Sequence, residues 1–366
     1  MAFDRATPSN NLPALPPAAY VESPLVLKAA LRAGRALAEL KGHCLTLSNP
    51  ELLLNAVSLQ ESKDSSEIEN IVTPQDELYR AAASPDDLPG GTSSDTKEVL
   101  RYREAMYAGW NALQSHGLLT TNTLVNIVQR LKNNQDGIRR LPGTVLQNKA
   151  KQVIYTPPEG ADVIRDKLHE LEVFIHQDSD LDPLVRMALI HYQFEAIHPF
   201  ADGNGRTGRI LNVLYLMQQE LLTIPVLYLS GYILANRDEY YRCLRLVTEE
   251  AQWDEWVLYL LQAVEVTAHA TLAQVTALQT LRQDTYEHVR TLLPNAPPRE
   301  LTDLLISYAY VKIQTLITAG VAQRQTSSAY LKVLAKAGLL RSLKMGRDIY
   351  YINHRLLDLF SASGTR

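Results

Sequence analysis

From Pro183 to Ile197 the chain reads Pro-Leu-Val-Arg-Met-Ala-Leu-Ile-His-Tyr-Gln-Phe-Glu-Ala-Ile, and only Arg186 and Glu195 are charged. The run is too long for an ordinary strand. Asp182 and Pro183 are good helix-start residues, the first as a cap and the second at the first helical position. A helix apolar nearly all round has to be buried, so other elements must surround it. Periodic apolar segments elsewhere in the chain supply them, and the expected class is mainly α.

Directly after this helix comes His198-Pro-Phe-Ala-Asp202-Gly203-Asn204-Gly205-Arg206-Thr207-Gly208-Arg209. Gly203 and Gly205 permit backbone conformations closed to other residues, so their amides can turn inward as an anion cradle. From Arg206 the chain reads as a helix, whose N-terminus adds the positive end of a dipole. Arg206 and Arg209 lie three apart and can reach the same side. Magnesium favours oxygen ligands and commonly takes one carboxylate plus substrate phosphates, which suits Asp202. His198 can accept a proton near neutral pH. Together these are the parts of a phosphate-transfer site.

Other readings use the same letters. Gly203 to Gly208 spells G-x-G-x-x-G, the dinucleotide fingerprint, but that reading needs a preceding strand in a βαβ unit, and a helix precedes it here. The protein-kinase glycine loop also fits, yet its catalytic and magnesium-binding motifs are missing from the chain. A purely structural loop would not need two arginines and a histidine beside its glycine and asparagine positions.

The stretch resembles the Fic family signature, H-x-F-x-[D/E]-G-N-G-R-x-x-R, at all eight fixed positions: His198, Phe200, Asp202, Gly203, Asn204, Gly205, Arg206 and Arg209. The resemblance implies a helical core that transfers a nucleotide monophosphate, usually AMP from ATP, to a Ser, Thr or Tyr hydroxyl of a protein. It implies that His198 is the base and that Asp202 carries Mg²⁺. ATP would be held by Gly203, Asn204, Gly205, Arg206, Thr207, Gly208 and Arg209. Ser65-Ser-Glu-Ile-Glu69-Asn70 fits the family's inhibitory pattern [S/T]-x-x-x-E-[G/N], in which Glu69 would pair with Arg209 and displace the γ-phosphate. Val153, Ile154 and Tyr155, a β-prone run stopped by Pro157 and Pro158, stand where the family has a hairpin flap that docks the target. Tyr240 and Tyr241 fit a tyrosine pair at the adenine, although Thr248 stands where relatives carry an asparagine. Related enzymes also use other donors or remove AMP, and self-modification is open to a chain with 18 tyrosines.

Composition bounds the remainder. At 366 residues with 46% hydrophobic content the chain can form two or three domains with sizeable cores. Two cysteines are too few for a disulfide framework. No apolar run approaches the ~20 residues needed to span a membrane, and a signal-peptide core is lacking. The expectation is a cytoplasmic protein without membrane contact. Its apolar helical body could pair as a homodimer.

In order, residues 1–25 are proline-rich and read as an extended arm on the body. Helices follow over Leu25–Leu40 and from Asn49-Pro50 to Leu59, and residues 84–96 have loop composition. Helices resume over Lys97–Gln114 and Thr121–Lys132, with a connection carrying Arg139 and Arg140 before the flap. After an extended link over Ile224–Ser230, a helix opens at Asp238. Trp253 and Trp256 lead a long one to about Leu293, closed by Pro294 and a Pro297-Pro298 linker.

The expected divisions are an N-terminal helical region over 1–110, a Fic core over 111–265, a connecting helix and linker over 266–300, and a last unit over 301–366. That last segment holds nine Lys/Arg and three Asp/Glu against an acidic body. Helices over Lys312–Ala319 and Arg324–Ala337, then a hairpin with its turn near Gly346, resemble a winged helix. Its Gln323, Arg324, Gln325, Thr326, Ser327 and Ser328 could face a DNA major groove. The competing function is therefore a DNA-binding regulator whose nucleotide site senses without turnover.

Overall fold

A computed structural model describes residues 3–17, 20, 22–47, 50–83, 92–345 and 348–361. The expected helix start at Asn49, most of the 84–96 loop and the hairpin turn at Gly346 lie outside the described residues. In chain order the first helices are α1 (Pro24–Leu45), α2 (Pro50–Ile68), α3 (Gln75–Ala82), α4 (Ser94–His116) and α5 (Thr121–Lys132). The flap follows as β1 (Leu146–Gln147) and β2 (Val153–Tyr155). Then come α6 (Ala161–His176), α7 (Pro183–Ile197), α8 (Asn204–Gln218), α9 (Leu229–Ala235), α10 (Arg237–Glu250) and the long α11 (Trp253–Leu292). The chain closes with α12 (Pro298–Ser307), β3 (Tyr310–Val311), α13 (Ile313–Thr318), α14 (Arg324–Lys336), β4 (Arg341–Met345), β5 (Asp348–Ile352) and α15 (His354–Ser361).

The apolar run is the central helix, α7. Asp182 caps it by accepting from the Leu184 N–H, Pro183 is its first residue, and every residue from Leu184 to Ile197 except Glu195 is buried. The helices α6, α8 and α11 pack around it and α1 lies along α11, so the required shell is built from both halves of the chain. Trp256 of α11 donates its indole N–H to the Ala188 carbonyl of α7 at 2.8 Å, giving the buried ring a polar anchor. The proline-rich arm lies on the body as expected. Ser9 and Arg5 bond the backbone and hydroxyl of Thr156, next to β2, and Gln193 of α7 donates to the Pro13 carbonyl.

Several expectations change at element borders. The Pro50 helix does not stop at Leu59 but continues as one helix through Ser65 to Ile68, leaving Glu69 and Asn70 in the turn that ends it. The helix after the glycine turn begins at Asn204, two residues before Arg206. Leu229 and Ser230 open the short α9 in place of extended chain. Pro298 does not close a linker: it occupies the first position of α12, where its missing N–H costs nothing. Local sequence could not decide these cases, because each border is set by what the segment packs against.

The C-terminal segment shows the expected pair of helices, α13 and α14, and the hairpin β4–β5, with β3 added to make an antiparallel sheet of order β3-β5-β4. Ser327 is buried, its hydroxyl bonded to the Ala322 carbonyl, so it faces inward and not toward a groove as expected. A second apolar core joins Val289, Leu293 and Ala296 to Leu301, Leu305, Leu316, Leu331, Leu334 and Tyr351, on both sides of position 301. Tyr310, Tyr350, Leu356 and Phe360 belong instead to the large core, so this unit packs directly on the helical body. Tyr310 also donates to Asp76 of α3 at 2.8 Å.

Candidate functional site

His198 ends α7 in the left-handed conformation, at φ 47° and ψ 57°, which turns the chain from α7 into the glycine loop. Arg139 holds that turn. Its Nε donates to the His198 carbonyl at 2.8 Å, Nη2 to the Pro158 carbonyl at 2.5 Å, and its backbone N–H to the Pro199 carbonyl. The imidazole Nδ1 is buried with no partner among the described residues. Burial, helped by the Arg139 cation, pushes the His198 pKa down to about 4. At neutral pH the ring is therefore uncharged and can take up a proton.

The loop 199–203 closes on itself. Asn204 accepts from the Phe200 N–H at 2.9 Å and donates to the Phe200 carbonyl at 2.8 Å, so its side chain is spent on shaping the turn. Gly203 sits at φ 83°, and a β-carbon there would come within 3.0 Å of Leu131. Glycine meets both demands without strain. Thr207 is buried in the first turn of α8, and Gly208 lets α8 approach α7 beside Glu195 and Phe194.

The two arginines take different partners. Arg206 is 1% exposed and its Nη1 bonds Glu98 of α4 at 2.7 Å. Glu98 also meets Lys132 of α5 at 2.8 Å, and Lys132 reaches Asp202 at 2.6 Å. Burial works against ionisation of Glu98 and Asp202, but Lys132 and Arg206 outweigh it and hold both carboxyls below their usual range. Asp202 is mostly exposed and also accepts from the Gly203 N–H. Neither Glu98 nor Lys132 was singled out from the sequence, where each is one charge on an ordinary helix.

Arg209, also 1% exposed, donates from Nε to the Ser65 hydroxyl and from Nη2 to the Ser65 carbonyl, each at 2.8 Å. Nη2 also lies 3.0 Å from Glu69 Oε1. Burial alone would weaken the charge on Arg209; the nearby carboxylates, Glu69 first, keep it firmly protonated. The Glu69 carboxylate rests against Gly205, where a β-carbon would come within 2.4 Å of Oε1. A second carboxyl near Arg209, Glu195, is pushed up to about 8 by burial, against the pull of Arg209.

A cleft of about 640 Å³ opens over this pair, lined by Glu69, Gly205, Arg209, Ile154, Tyr241, Thr248 and other residues of the flap and α10. The tyrosines divide. Both line the cleft, but Tyr240 is otherwise buried, its hydroxyl 2.8 Å from His191 and its ring among Trp256 and Tyr259. Tyr241 is half-buried beneath the Arg237 guanidinium. In the flap, Tyr155 points inward and donates to the Ala196 carbonyl at 2.9 Å, whereas Val153 and Ile154 stay partly open. Tyr155 thus anchors the hairpin to the end of α7.

Among the described residues no three His, Cys, Asp or Glu side chains gather as a metal site. Asp202 offers one ionised carboxylate already paired with a cation, a donor set that fits a magnesium ion bound mainly through nucleotide phosphates. No described helix is long and apolar enough to cross a membrane.

Residues 27–111 match the Fic/DOC family N-terminal region, residues 118–216 the Fic/DOC family, and residues 281–356 the C-terminal domain of SoFic-like protein adenylyltransferase. A probable protein adenylyltransferase of Aquifex aeolicus is 27% identical over 202 residues, 55% of this chain and 58% of that protein. Protein adenylyltransferase fic-1 of Caenorhabditis elegans is 26% identical over 165 residues, 43% of this chain and 30% of that one. The chain therefore spans well under two thirds of these curated relatives. A Fic family protein from Desulfovibrio desulfuricans G20 superimposes with a TM-score of 0.58 at 20% identity, over 91% of this chain and 97% of that one. Fic-1 of C. elegans gives 0.54 at 20% identity, over 69% and 73%. These likenesses establish a common fold.

Proposed function

The chain belongs to the Fic/DOC family, and from that premise we propose that it is a protein adenylyltransferase restrained by its own Glu69. The observation that carries the reading is the buried Arg209 beside the glycine turn at the head of α8, facing a cleft and held by a carboxylate from the turn that ends α2. A guanidinium at a helix N-terminus suits a triphosphate, and the Gly205 backbone leaves room for its close approach.

In the reaction, the uncharged His198 ring takes the proton from a Ser, Thr or Tyr hydroxyl. The oxygen attacks the α-phosphorus of ATP, a new P–O bond forms, and the bond to the departing pyrophosphate breaks. Arg209 and the Asn204 and Gly205 amides hold the phosphates, while the Gly203 N–H holds Asp202 and the Asn204 side chain keeps the loop in shape. Arg206, fixed by Glu98, orders the same turn. Magnesium held at Asp202 would supply charge neutralisation to the phosphates. Positioning and electrostatic stabilisation account for most of the rate in such a transfer.

Glu69 occupies the space beside Arg209 that a γ-phosphate needs, and its charge repels one. The partly open strand residues Val153 and Ile154 would align a target backbone by strand addition, which asks little of its sequence. A tyrosine or serine of a second copy is an equally suitable acceptor. The test is intact mass after incubation with ATP and Mg²⁺, for the native chain beside Glu69→Gly and Glu69→Gly/His198→Ala. A gain of one AMP unit in Glu69→Gly only is the expected result. No gain on any protein, or a gain that survives loss of His198, overturns the assignment. Faster loss of AMP from a modified protein by the native chain than by Glu69→Gly would make removal the reaction.

A further inference from the structure

The C-terminal unit carries cations that nothing in the fold uses. Arg324, Lys332 and Lys336 lie on α14, and Arg341 and Lys344 on β4; all five are exposed. Other cations in and beside the unit are paired: Arg282 holds Asp303, Arg355 holds Asp284 and Lys312 meets Asp348. None of the five side chains has an ion pair or hydrogen bond among the described residues. Neither α14 nor β4 contains an acidic residue. Surface cations ordinarily alternate with anions, and a helix and strand with one sign of charge lose stability by self-repulsion. Repulsion of this kind is relieved by a polyanion.

We propose that the C-terminal unit binds duplex nucleic acid through the exposed face of α14 and the edge strand β4. The occupant follows from shape as well as charge. A turn through Gly320 joins α13 to α14, and the buried Ser327 hydroxyl, bonded to the Ala322 carbonyl, fixes that turn. The result is a helix–turn–helix whose second helix stands clear, with Gln325, Thr326, Ala329, Lys332, Val333 and Lys336 on its exposed or partly exposed side. An α-helix about 10–12 Å across enters a major groove about 12 Å wide.

In this geometry the N-terminal residues of the second helix meet base edges, and Gln325 and Thr326 carry suitable donors and acceptors. Lys332 and Lys336 sit one turn apart further along and would meet phosphates. In the sheet order β3-β5-β4 the last strand is a free edge. Lys344 shares a face with Ser342, opposite Tyr351, and Tyr351 packs into the same core as Leu331 and Leu334 of α14. Lys344 therefore lies on the side of the sheet that α14 occupies and extends its basic surface. An acidic protein would be served by the charges alone and would leave the polar N-terminal half of the helix unexplained.

This inference is independent of the enzymatic reading. The experiment is fluorescence anisotropy of the full chain with a labelled random-sequence duplex of 30 base pairs, titrated at several salt concentrations. Binding that weakens with salt at a log–log slope of about −3.6 is expected from four phosphate contacts, those of Arg324, Lys332, Lys336 and Lys344. Lys332→Glu/Lys336→Glu should weaken it by tenfold or more with unchanged thermal melting, while Lys28→Glu, on the distant α1, should leave it intact. Absence of binding at low salt overturns the proposal. So does binding indifferent to the double charge reversal, or tighter capture of polyglutamate or of anionic vesicles than of the duplex.

Discussion

The Glu69 carboxylate lies 3.0 Å from Nη2 of Arg209, although 140 residues separate them in sequence. The contact joins the turn after α2 to the first turns of α8, and under the proposed function it puts an acid where a phosphate would sit. Replacing Glu69 by glycine removes a charge-assisted bond worth about 1.5–3 kcal/mol. AMP incorporation should rise by about tenfold to a hundredfold, since each 1.4 kcal/mol is a decade. Quantitative labelling with a radioactive or alkynyl ATP analogue checks this, and equal labelling of both proteins would remove the restraint from Glu69.

Arg139 bears on His198 through both position and charge. Its fork fixes the carbonyl of the histidine turn, and its cation helps keep the ring unprotonated. In the Glu69→Gly background the acid limb of the rate should therefore fall near pH 4 and not near the ordinary ~6.5 of histidine. Arg139→Gln should lower kcat, leave KM for ATP within about twofold, and move that limb upward, because removing a neighbouring cation raises the pKa. A purely structural residue would lower kcat without moving the limb.

Glu98 stabilises a guanidinium that has almost no access to water. Glu98→Ala should destabilise the fold by about 2–3 kcal/mol, less than the ~3–5 of a fully enclosed pair because Glu98 itself retains some solvent. Chemical denaturation measures this. A loss below about 0.5 kcal/mol, the scale of an ordinary surface substitution, would show that Arg206 finds an equivalent partner in Asp202.

Tyr155 ties the flap to the last turn of α7 through the Ala196 carbonyl. Tyr155→Phe keeps the buried ring and loses a bond worth about 0.5–1.5 kcal/mol. The expected outcome is a raised KM for the protein acceptor with KM for ATP unchanged. A change confined to ATP would place the residue in nucleotide binding instead of flap anchoring.

Local chemistry was enough to announce α7, the glycine turn and a short hairpin. A nearly uncharged run after Asp182-Pro183 has one stable fate, and Gly203 at φ 83° beside Leu131 favours glycine. His198, Arg206 and Arg209 could be named because they stand in one motif, although Arg206 turns to Glu98 while Arg209 turns to Ser65 and Glu69 and alone of the three lines the cleft. The pairing of Glu69 with Arg209 needed the family pattern as well, since a glutamate on a polar helix carries no mark of its partner.

What the tertiary structure alone decided are the partners supplied by distant helices. Glu98 and Lys132 meet Asp202 and Arg206 because α4 and α5 pack across the head of α8, and Arg139 reaches His198 because the connection before the flap folds back over the end of α7. Packing also set Tyr240 in the core, Ser327 inward and Tyr155 as an anchor. A side chain's type and its neighbours in sequence determine what it can bond. Which charge or carbonyl it meets depends on how whole helices share a buried surface, and that is settled by the summed packing of residues far apart in the chain.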